Sequence, residues 1–135
     1  MTYYMATTIA APFADALGRV EAALQEEGFG VISRIDIKDT LKNKIGVDFR
    51  PYTILGACNP KLAFEALNLE DKVGTMLPCN VVLQQREAGE IEVAAINPVA
   101  SMQAIDNPAL LEAAEEVRNR LARVIHRLEQ DDGKA

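Results

Sequence analysis

The spacing of hydrophobic residues along this chain alternates between two residues, as in a β-strand, and three to four residues, as in an α-helix. Residues 2–9 alternate and predict a first strand. Residues 13–24 follow the helical spacing, with Pro12 at their start and Gly28 as a left-handed cap after their end. From residue 29 the period returns to two, which predicts a half-buried strand whose first face carries Phe29, Val31, Ser33, Ile35 and Ile37.

The remaining elements are predicted from the same periodicities and from turn residues. They are, in chain order, a short charged helix over 38–45 capped by Asp36 or Asp39, a strand over 52–58, a helix after Asn59-Pro60, a turn or bent helical piece over 71–76, a hairpin of strands 80–86 and 91–96, a short helix over 99–104 and a long helix over 110–128. Three helix starts carry the dipeptide Asn-Pro, in which Asn supplies a side-chain cap and Pro a preset first helical residue.

About five strands and two principal helices in this order predict an α+β fold. We expect a β-α-β(4)-α-like order, with a largely antiparallel sheet and helices packed on one of its faces. The length of 135 residues suits a single domain. We place that domain at residues 2–129 and expect a polar C-terminal tail over 130–135.

In the final helix the hydrophobic residues recur at alternating steps of four and three, which is typical of the narrow seam between paired helices. The seam consists of Leu110, Ala114, Val117, Leu121, Val124 and Leu128. We therefore expect a symmetric homodimer, formed either through this seam or through an exposed sheet edge.

The overall charge restricts the classes of partner. Fourteen Lys and Arg residues against twenty Asp and Glu residues give a formal net charge of −6, so a phosphate backbone would be repelled and we expect no nucleic-acid partner. The N-terminus has no basic region followed by an apolar signal segment, and no stretch is apolar enough to span a membrane. We expect a cytoplasmic protein without a membrane partner.

Two stretches carry most of the candidate chemistry: residues 46–60, which include Arg50 and Cys58, and residues 77–81, which include Cys79. Cys58 directly precedes a predicted helix, where free backbone amides and the positive end of the helix dipole favour a thiolate. If the two strands lie side by side, the two thiols meet.

The two cysteines leave three interpretations open: inert buried thiols, a redox or ligand-binding thiol site, and a soft-metal site. Copper(I) would accept two thiolates together with Met76 or Met102. A structural zinc site needs four Cys or His ligands, and the chain has two Cys and one His, so we assign no metal ligands.

The acidic residues Asp36 and Asp48 border the first stretch, and we expect them to pair with Lys38 and Arg50. No complete set of nucleophile, base and orienting residue is recognisable, which argues against an enzyme and leaves any cofactor unknown.

Four motifs in a fixed order resemble one bacterial family, catalogued as domain of unknown function 302. They are Ile-Asp-Ile-Lys at 35–38, Val-Asp-Phe-Arg-Pro-Tyr at 47–52, Leu-Gly-Ala-Cys-Asn-Pro at 55–60 and Leu-Pro-Cys-Asn-Val-Val at 77–82. The resemblance runs from about Tyr3 to about Leu128. It implies a fold similar to the half-repeat of the TATA-box-binding protein, a curved antiparallel sheet with two helices behind it, often as a pair of chains. It implies no activity, and DNA binding does not follow from the fold alone.

We therefore predict a small-ligand-binding or sensing domain whose pocket lies near the two Cys-Asn motifs. The predicted ligand-binding residues are Lys38, Arg50, Tyr52, Cys58, Asn59, Cys79 and Asn80. The alternative is a protein that handles thiol redox chemistry or a soft, copper-type metal through Cys58 and Cys79.

Overall fold

A computed structural model describes residues 2–133 of the chain, with side-chain burial described through residue 130. The elements in chain order are β1 (Tyr4–Ala10), α1 (Phe13–Glu26), β2 (Gly30–Asp36), α2 (Ile37–Ile45), β3 (Tyr52–Cys58), α3 (Pro60–Leu69), a 3-10 helix (Asp71–Met76), β4 (Cys79–Glu87), β5 (Glu90–Ile96), α4 (Pro98–Ser101) and α5 (Pro108–Gly133). The predicted C-terminal tail thus begins inside α5, and its residues 134 and 135 lie outside the described residues.

The five strands form one sheet in the order β1-β5-β4-β3-β2, and every neighbouring pair is antiparallel. Helices α1 and α5 pack together against one face of this sheet, so the predicted α+β fold is confirmed. Strands β4 and β5 form the predicted hairpin. The edge strands are β1 and β2.

All three Asn-Pro dipeptides begin helices as predicted. Asn59 Oδ1 accepts a hydrogen bond from the backbone N–H of Leu62 at 3.1 Å, and Asn97 Oδ1 accepts one from Val99 at 3.1 Å. Asn107 Oδ1 accepts the N–H of Leu110 at 3.2 Å. Each side chain thereby satisfies one of the free donors in the first helical turn.

The hydrophobic core lies between the sheet and the pair α1 and α5. Its fully buried side chains include Leu24, Phe29, Leu55, Leu83 and Ile91. The seam of α5 also packs inside the chain: Leu121, Val124 and Leu128 belong to this core, and Leu110 and Ala114 to a second cluster with α3. The expectation that this seam pairs two chains is therefore wrong, because the apolar stripe is already covered by the protein's own sheet and helices.

The predicted alternation of β2 fails halfway along the strand. The pairing with β3 shifts between Val31 and Ser33, so Ile32 forms a bulge. Val31 packs against the core on the helix side, whereas Ile35 pairs with Ile54 and is 46% exposed. One extra residue moved the second half of the predicted face to the opposite side of the sheet.

Gly56 is required by the close approach of β2 and the residue before β4. A Cβ atom there would overlap Ser33 Oγ and lie 2.8 Å from Pro78 Cγ. The space beside this glycine is thus filled by two side chains of the same protein.

A buried acid joins the two main helices. Glu27, directly after α1, is 7% exposed, and its carboxylate accepts hydrogen bonds from Arg123 Nε at 2.7 Å and from Arg127 Nη2 at 3.0 Å. Burial raises the pKa of this carboxyl group, but the hydrogen bonds and charges of the two arginines outweigh burial, and the net pKa lies below its usual value. The cluster fixes α5 against the end of α1.

Among the described residues, no helix combines the length and the hydrophobicity needed to cross a lipid bilayer.

Candidate functional site

A cavity on the helix side of the sheet has a volume of about 360 Å³. It is bounded by the end of β3, the start of β4, and helices α3, α4 and α5. Most of its lining residues are apolar, and they include Phe29, Leu62, Leu77, Met102 and Leu110. None of its lining side chains carries a charge, and Cys58, Asn59 and Cys79 supply its polar groups.

The two cysteines line this same cavity, as side-by-side strands would require. Cys79 pairs with Ala57 in the sheet, and Cys58 is the next residue along β3. Both thiols are free of any disulfide. Burial raises the pKa of the Cys79 thiol to about 11, and the nearby Cys58 adds to the increase. Cys79 is therefore a protonated, weakly nucleophilic thiol near neutral pH.

Asn59 lines the cavity, and its side chain caps α3 and lies close to Gly28. Its Oδ1 caps α3, and its Nδ2 lies 2.9 Å from the position that a Cβ on Gly28 would occupy. Gly28 has a φ of 85°, so a side chain there would be both strained and in contact with Asn59. The amide is thus a fixed part of the wall and offers an orienting polar group to a ligand.

The other predicted site residues lie elsewhere. Lys38 Nζ donates a hydrogen bond to the backbone carbonyl of Phe49 at 2.9 Å and thereby ties α2 to the segment before β3. Arg50 Nε donates to Gln84 Oε1 at 2.9 Å, and its guanidinium lies 4.3 Å from the centre of the Phe49 ring. Tyr52 and Asn80 line a second cavity.

This second cavity, of about 300 Å³, is on the face of the sheet opposite α1 and α5. Its lining comes from β1, β3, β4 and β5 and includes Val82 and Ala94, which pair directly with each other. Successive residues of a strand point to opposite faces, so Cys79 and Asn80 belong to different cavities although they are adjacent in sequence. Of the seven residues predicted as one site, Cys58, Asn59 and Cys79 line the helix-side cavity and Tyr52 and Asn80 the second cavity, whereas Lys38 and Arg50 line neither.

The expected ion pairs at the edge of the first stretch also differ from those observed. Asp48 pairs with Lys42 at 3.1 Å instead of with Lys38 or Arg50. Asp36 accepts the backbone N–H of Asp39 and caps α2, which is one of the two predicted caps. Acids at a helix start are better satisfied by local N–H groups than by a distant cation.

Within the described part of the chain, no group of three or more His, Cys, Asp or Glu residues has an arrangement that could hold a metal ion. His126, the only histidine, lies on the exposed side of α5 near Glu129.

The family of domain of unknown function DUF302 matches residues 5–128. The chain belongs to this family. A DUF302 relative of known structure, an uncharacterized conserved protein from Bacillus stearothermophilus, is 32% identical, with 95% of this chain and 99% of that chain covered and a TM-score of 0.87. No curated protein matches this chain at a significant level. The family membership and the shared DUF302 fold are thus established, and neither carries an activity.

Two features of this DUF302 chain were missed at the sequence level. Glu27 was not recognised as a buried acid, although Arg123 and Arg127 stand four residues apart on the final helix and mark one helical face. The gathering of Tyr4 and Tyr52 on one face of the sheet was also missed. Both aromatic residues occupy the first position of a strand, which the sequence pattern indicates. The order of the strands in the sheet, which places the two residues beside one cavity, is not indicated by that pattern.

Proposed function

We propose that this protein is a ligand-binding or sensing domain that takes a small, neutral, apolar molecule into the helix-side cavity. The observation that supports the proposal is the combination of volume and chemistry: about 360 Å³ lined mostly by aliphatic and aromatic side chains without a charged group. Small-molecule sites have volumes of this order and few polar groups. An ion entering such a cavity would lose part of its hydration without gaining a partner, which selects for a neutral ligand.

A matched pair of fluorescent probes tests this proposal. N-phenyl-1-naphthylamine is neutral, and 8-anilinonaphthalene-1-sulfonate has the same ring skeleton with an added sulfonate. We expect saturable binding of the neutral probe and at least about tenfold weaker binding of the anionic probe, because the cavity offers no counter-charge. Equal binding of the two probes, or no saturable binding of either, would refute the proposal.

Filling the cavity locates the binding. Ala113 lines the cavity on α5, whereas Ala109, one turn earlier on the same helix, is exposed and does not line it. We expect Ala113→Leu to weaken binding of the neutral probe and Ala109→Leu to leave it unchanged. Thermal unfolding of both variants shows that each is folded. A loss of binding in both variants would mean that the probe does not occupy this cavity.

The presence of both thiols at one cavity wall supports a second candidate, the handling of a soft metal or thiol redox chemistry. Copper(I) added to the reduced protein and followed by dialysis tests the metal form. We expect one retained equivalent that is lost in both Cys58→Ser and Cys79→Ser. Retention of copper by the double serine variant, or none by the native chain, would remove this candidate. The raised pKa of Cys79 works against it, because a thiol must lose its proton to bind a metal.

We also propose that two chains form a homodimer through the edge strand β2, since the seam of α5 is covered. The exposed apolar residues Ile32 and Ile35, 65% and 46% accessible, lie on this edge. Light scattering at micromolar concentration should give twice the chain mass of 14.7 kDa. Ile35→Lys should shift the mass toward the monomer, and Thr8→Lys on the other edge strand should not. A monomer mass for the native chain would contradict the dimer.

A further inference from the structure

All three tyrosines of this chain line the cavity on the open face of the sheet. Tyr3, directly before β1, and Tyr4, its first residue, meet edge to face with ring centres 5.0 Å apart. Tyr52 is the first residue of β3, three positions away from β1 in the sheet, and its ring centre lies 6.0 Å from that of Phe49. The cavity lining thus includes three of the seven Phe and Tyr rings in a chain of low aromatic content, and Phe49 lies beside one of them.

Small apolar side chains lie between these two groups of rings. Val82 and Ala94, paired across β4 and β5, both line the cavity between Tyr4 of β1 and Tyr52 of β3. The result is a cavity of about 300 Å³ whose floor is apolar at Val82 and Ala94 and which has aromatic rings at two sides. Aromatic side chains prefer to contact another ring at an offset or by its edge, so this space suits a planar aromatic group.

Hydrogen bonds connect three residues that line this cavity, Gln84, Arg86 and Glu92, with Arg50, which does not line it but lies at its edge. Gln84 accepts from Arg50 Nε at 2.9 Å and donates to Glu92 at 3.1 Å. Glu92 also accepts from Arg86 Nη2 at 3.3 Å, so the charge of Arg86 is balanced by a carboxylate. Arg50 has no carboxylate partner among the described residues.

The Arg50 guanidinium is nevertheless held in place. It stacks on the Phe49 ring at 4.3 Å, lies 5.9 Å from the Tyr52 ring centre, and uses only its Nε to reach Gln84. Its two terminal Nη atoms have no hydrogen-bond partner within the described part of the chain. A guanidinium with two parallel N–H donors fits a carboxylate in a bidentate manner, and its orientation by neighbouring rings reduces the entropy lost on binding.

We propose that the open-face cavity binds a small aromatic monocarboxylate. The ring of the ligand lies on Val82 and Ala94 beside the tyrosines, and its carboxylate accepts hydrogen bonds from the terminal Nη atoms of Arg50. The single unbalanced positive charge matches a single negative charge on the ligand. This site is separate from the neutral cavity on the helix side, and its ligand differs from that cavity's ligand in charge.

Titration of benzoate into protein labelled with carbon-13 in its tyrosine rings tests the proposal. Because all three labelled rings line the cavity, a ligand there should shift all three ring signals with one common, saturable curve. Benzamide keeps the ring without the charge, and cyclohexanecarboxylate keeps the charge without an aromatic ring. We expect each analogue to bind at least about tenfold more weakly than benzoate. Benzamide loses the charge-assisted hydrogen bonds to Arg50, and cyclohexanecarboxylate loses the contacts of an aromatic ring.

Two variants with the same charge change identify the contact. Arg50→Gln should weaken benzoate binding at least about tenfold. Arg118→Gln, on the exposed side of α5, should leave it unchanged. Arg50→Lys, which keeps the charge but loses the bidentate geometry, should give an intermediate affinity. Both Arg50 and Arg118 are exposed, so the variants are expected to fold, and their remaining signals verify this.

The proposal fails if benzoate, titrated up to about 20 mM, produces no saturable tyrosine shift. It also fails if benzamide binds as tightly as benzoate, or if Arg50→Gln and Arg118→Gln weaken binding equally.

Discussion

In the cluster of Glu27, Arg123 and Arg127, we expect removal of the acid and removal of the two cations to lower the free energy of unfolding by different amounts. The Glu27 side chain is 7% exposed, whereas the side chains of Arg123 and Arg127 are 53% and 44% exposed. Removing the acid leaves two cations that reach water. Removing the cations leaves an acid that does not.

The expected magnitudes follow from that difference in exposure. Glu27→Gln keeps the volume and an acceptor oxygen and should cost about 1 kcal/mol of unfolding free energy. Replacing Arg123 and Arg127 together by Met keeps the aliphatic stems but removes their donors. This should cost about 2–3 kcal/mol, below the usual 3–5 kcal/mol for an isolated buried charge. The cost is reduced because Arg120, which donates to the backbone carbonyl of Glu27 at 3.2 Å, still places a positive charge close to the acid.

The two forms should also respond to pH with opposite signs. In the native protein the folded pKa of Glu27 lies below 4.5, so its contribution is present above the unfolded pKa and is lost as pH falls through the folded pKa. Without the arginines, burial acts alone and raises the folded pKa of Glu27. The folded state then binds more protons than the unfolded state, and stability increases as pH falls from neutral through that raised pKa.

Urea unfolding is the suitable assay, because guanidinium chloride would screen the charges. We compare the double Met variant with the triple variant that also carries Glu27→Gln. The contributions of all other titrating groups to the pH dependence of stability cancel in this comparison. We expect the triple variant to be the more stable of the two at pH 7 and the difference to disappear on acidification. The reasoning is refuted if the double Met variant loses no more free energy of unfolding than Glu27→Gln. It is also refuted if the double Met variant gains no stability relative to the triple variant at low pH. In either case, the difference in exposure between the acid and the arginines would not determine the cost of removing each partner.

Three further variants or measurements examine other parts of the fold. Gly56→Ala should cost about 1–3 kcal/mol, since the added Cβ meets Ser33 and Pro78, and a urea midpoint within error of the native one would contradict this. Asn59→Ala should cost about 1 kcal/mol through the lost cap, whereas Asn59→Asp should retain most of it; equal losses would show that the cap is unimportant. Alkylation of Cys79 by iodoacetamide, followed by mass spectrometry, should accelerate steadily up to pH 10, because burial raises the thiol pKa to about 11; a plateau near pH 9 would contradict the raised pKa.

The elements were predictable because each is specified by local chemistry. The three Asn-Pro dipeptides cap helices with hydrogen bonds of 3.1 to 3.2 Å, and Gly28 adopts the positive φ that a left-handed cap requires. These interactions join residues only a few positions apart, so the sequence pattern alone indicates them. The β4–β5 hairpin was predictable from its short turn, whereas the other strands are joined through helices and their pairing is not specified by a turn.

The long-range features were not predictable from such patterns. The bulge at Ile32 changes which residues of β2 face the core, and nothing in its alternation of residues marks the extra position. The seam of α5 has the spacing of a paired helix, yet a helix that packs on its own sheet and on α1 produces the same stripe. Hydrophobic periodicity indicates that a face is buried and does not identify the partner that buries it.

The alternation of a strand also explains how one predicted site became two. The motif at residues 77–82 places Cys79 toward the helix-side cavity and Asn80 toward the open face, because successive side chains leave a sheet in opposite directions. Cys79 and Asn80, although adjacent in sequence, therefore line different cavities, for which we propose different ligands, one neutral and apolar, the other aromatic and anionic. It follows that Cys79→Ser and Asn80→Ala, one residue apart, should separate the two binding activities: the first should alter only binding of the neutral naphthylamine, and the second only binding of benzoate. If either substitution impaired both, the sheet would not act as a partition between independent sites, and a single site that includes both faces would have to replace the two proposed here.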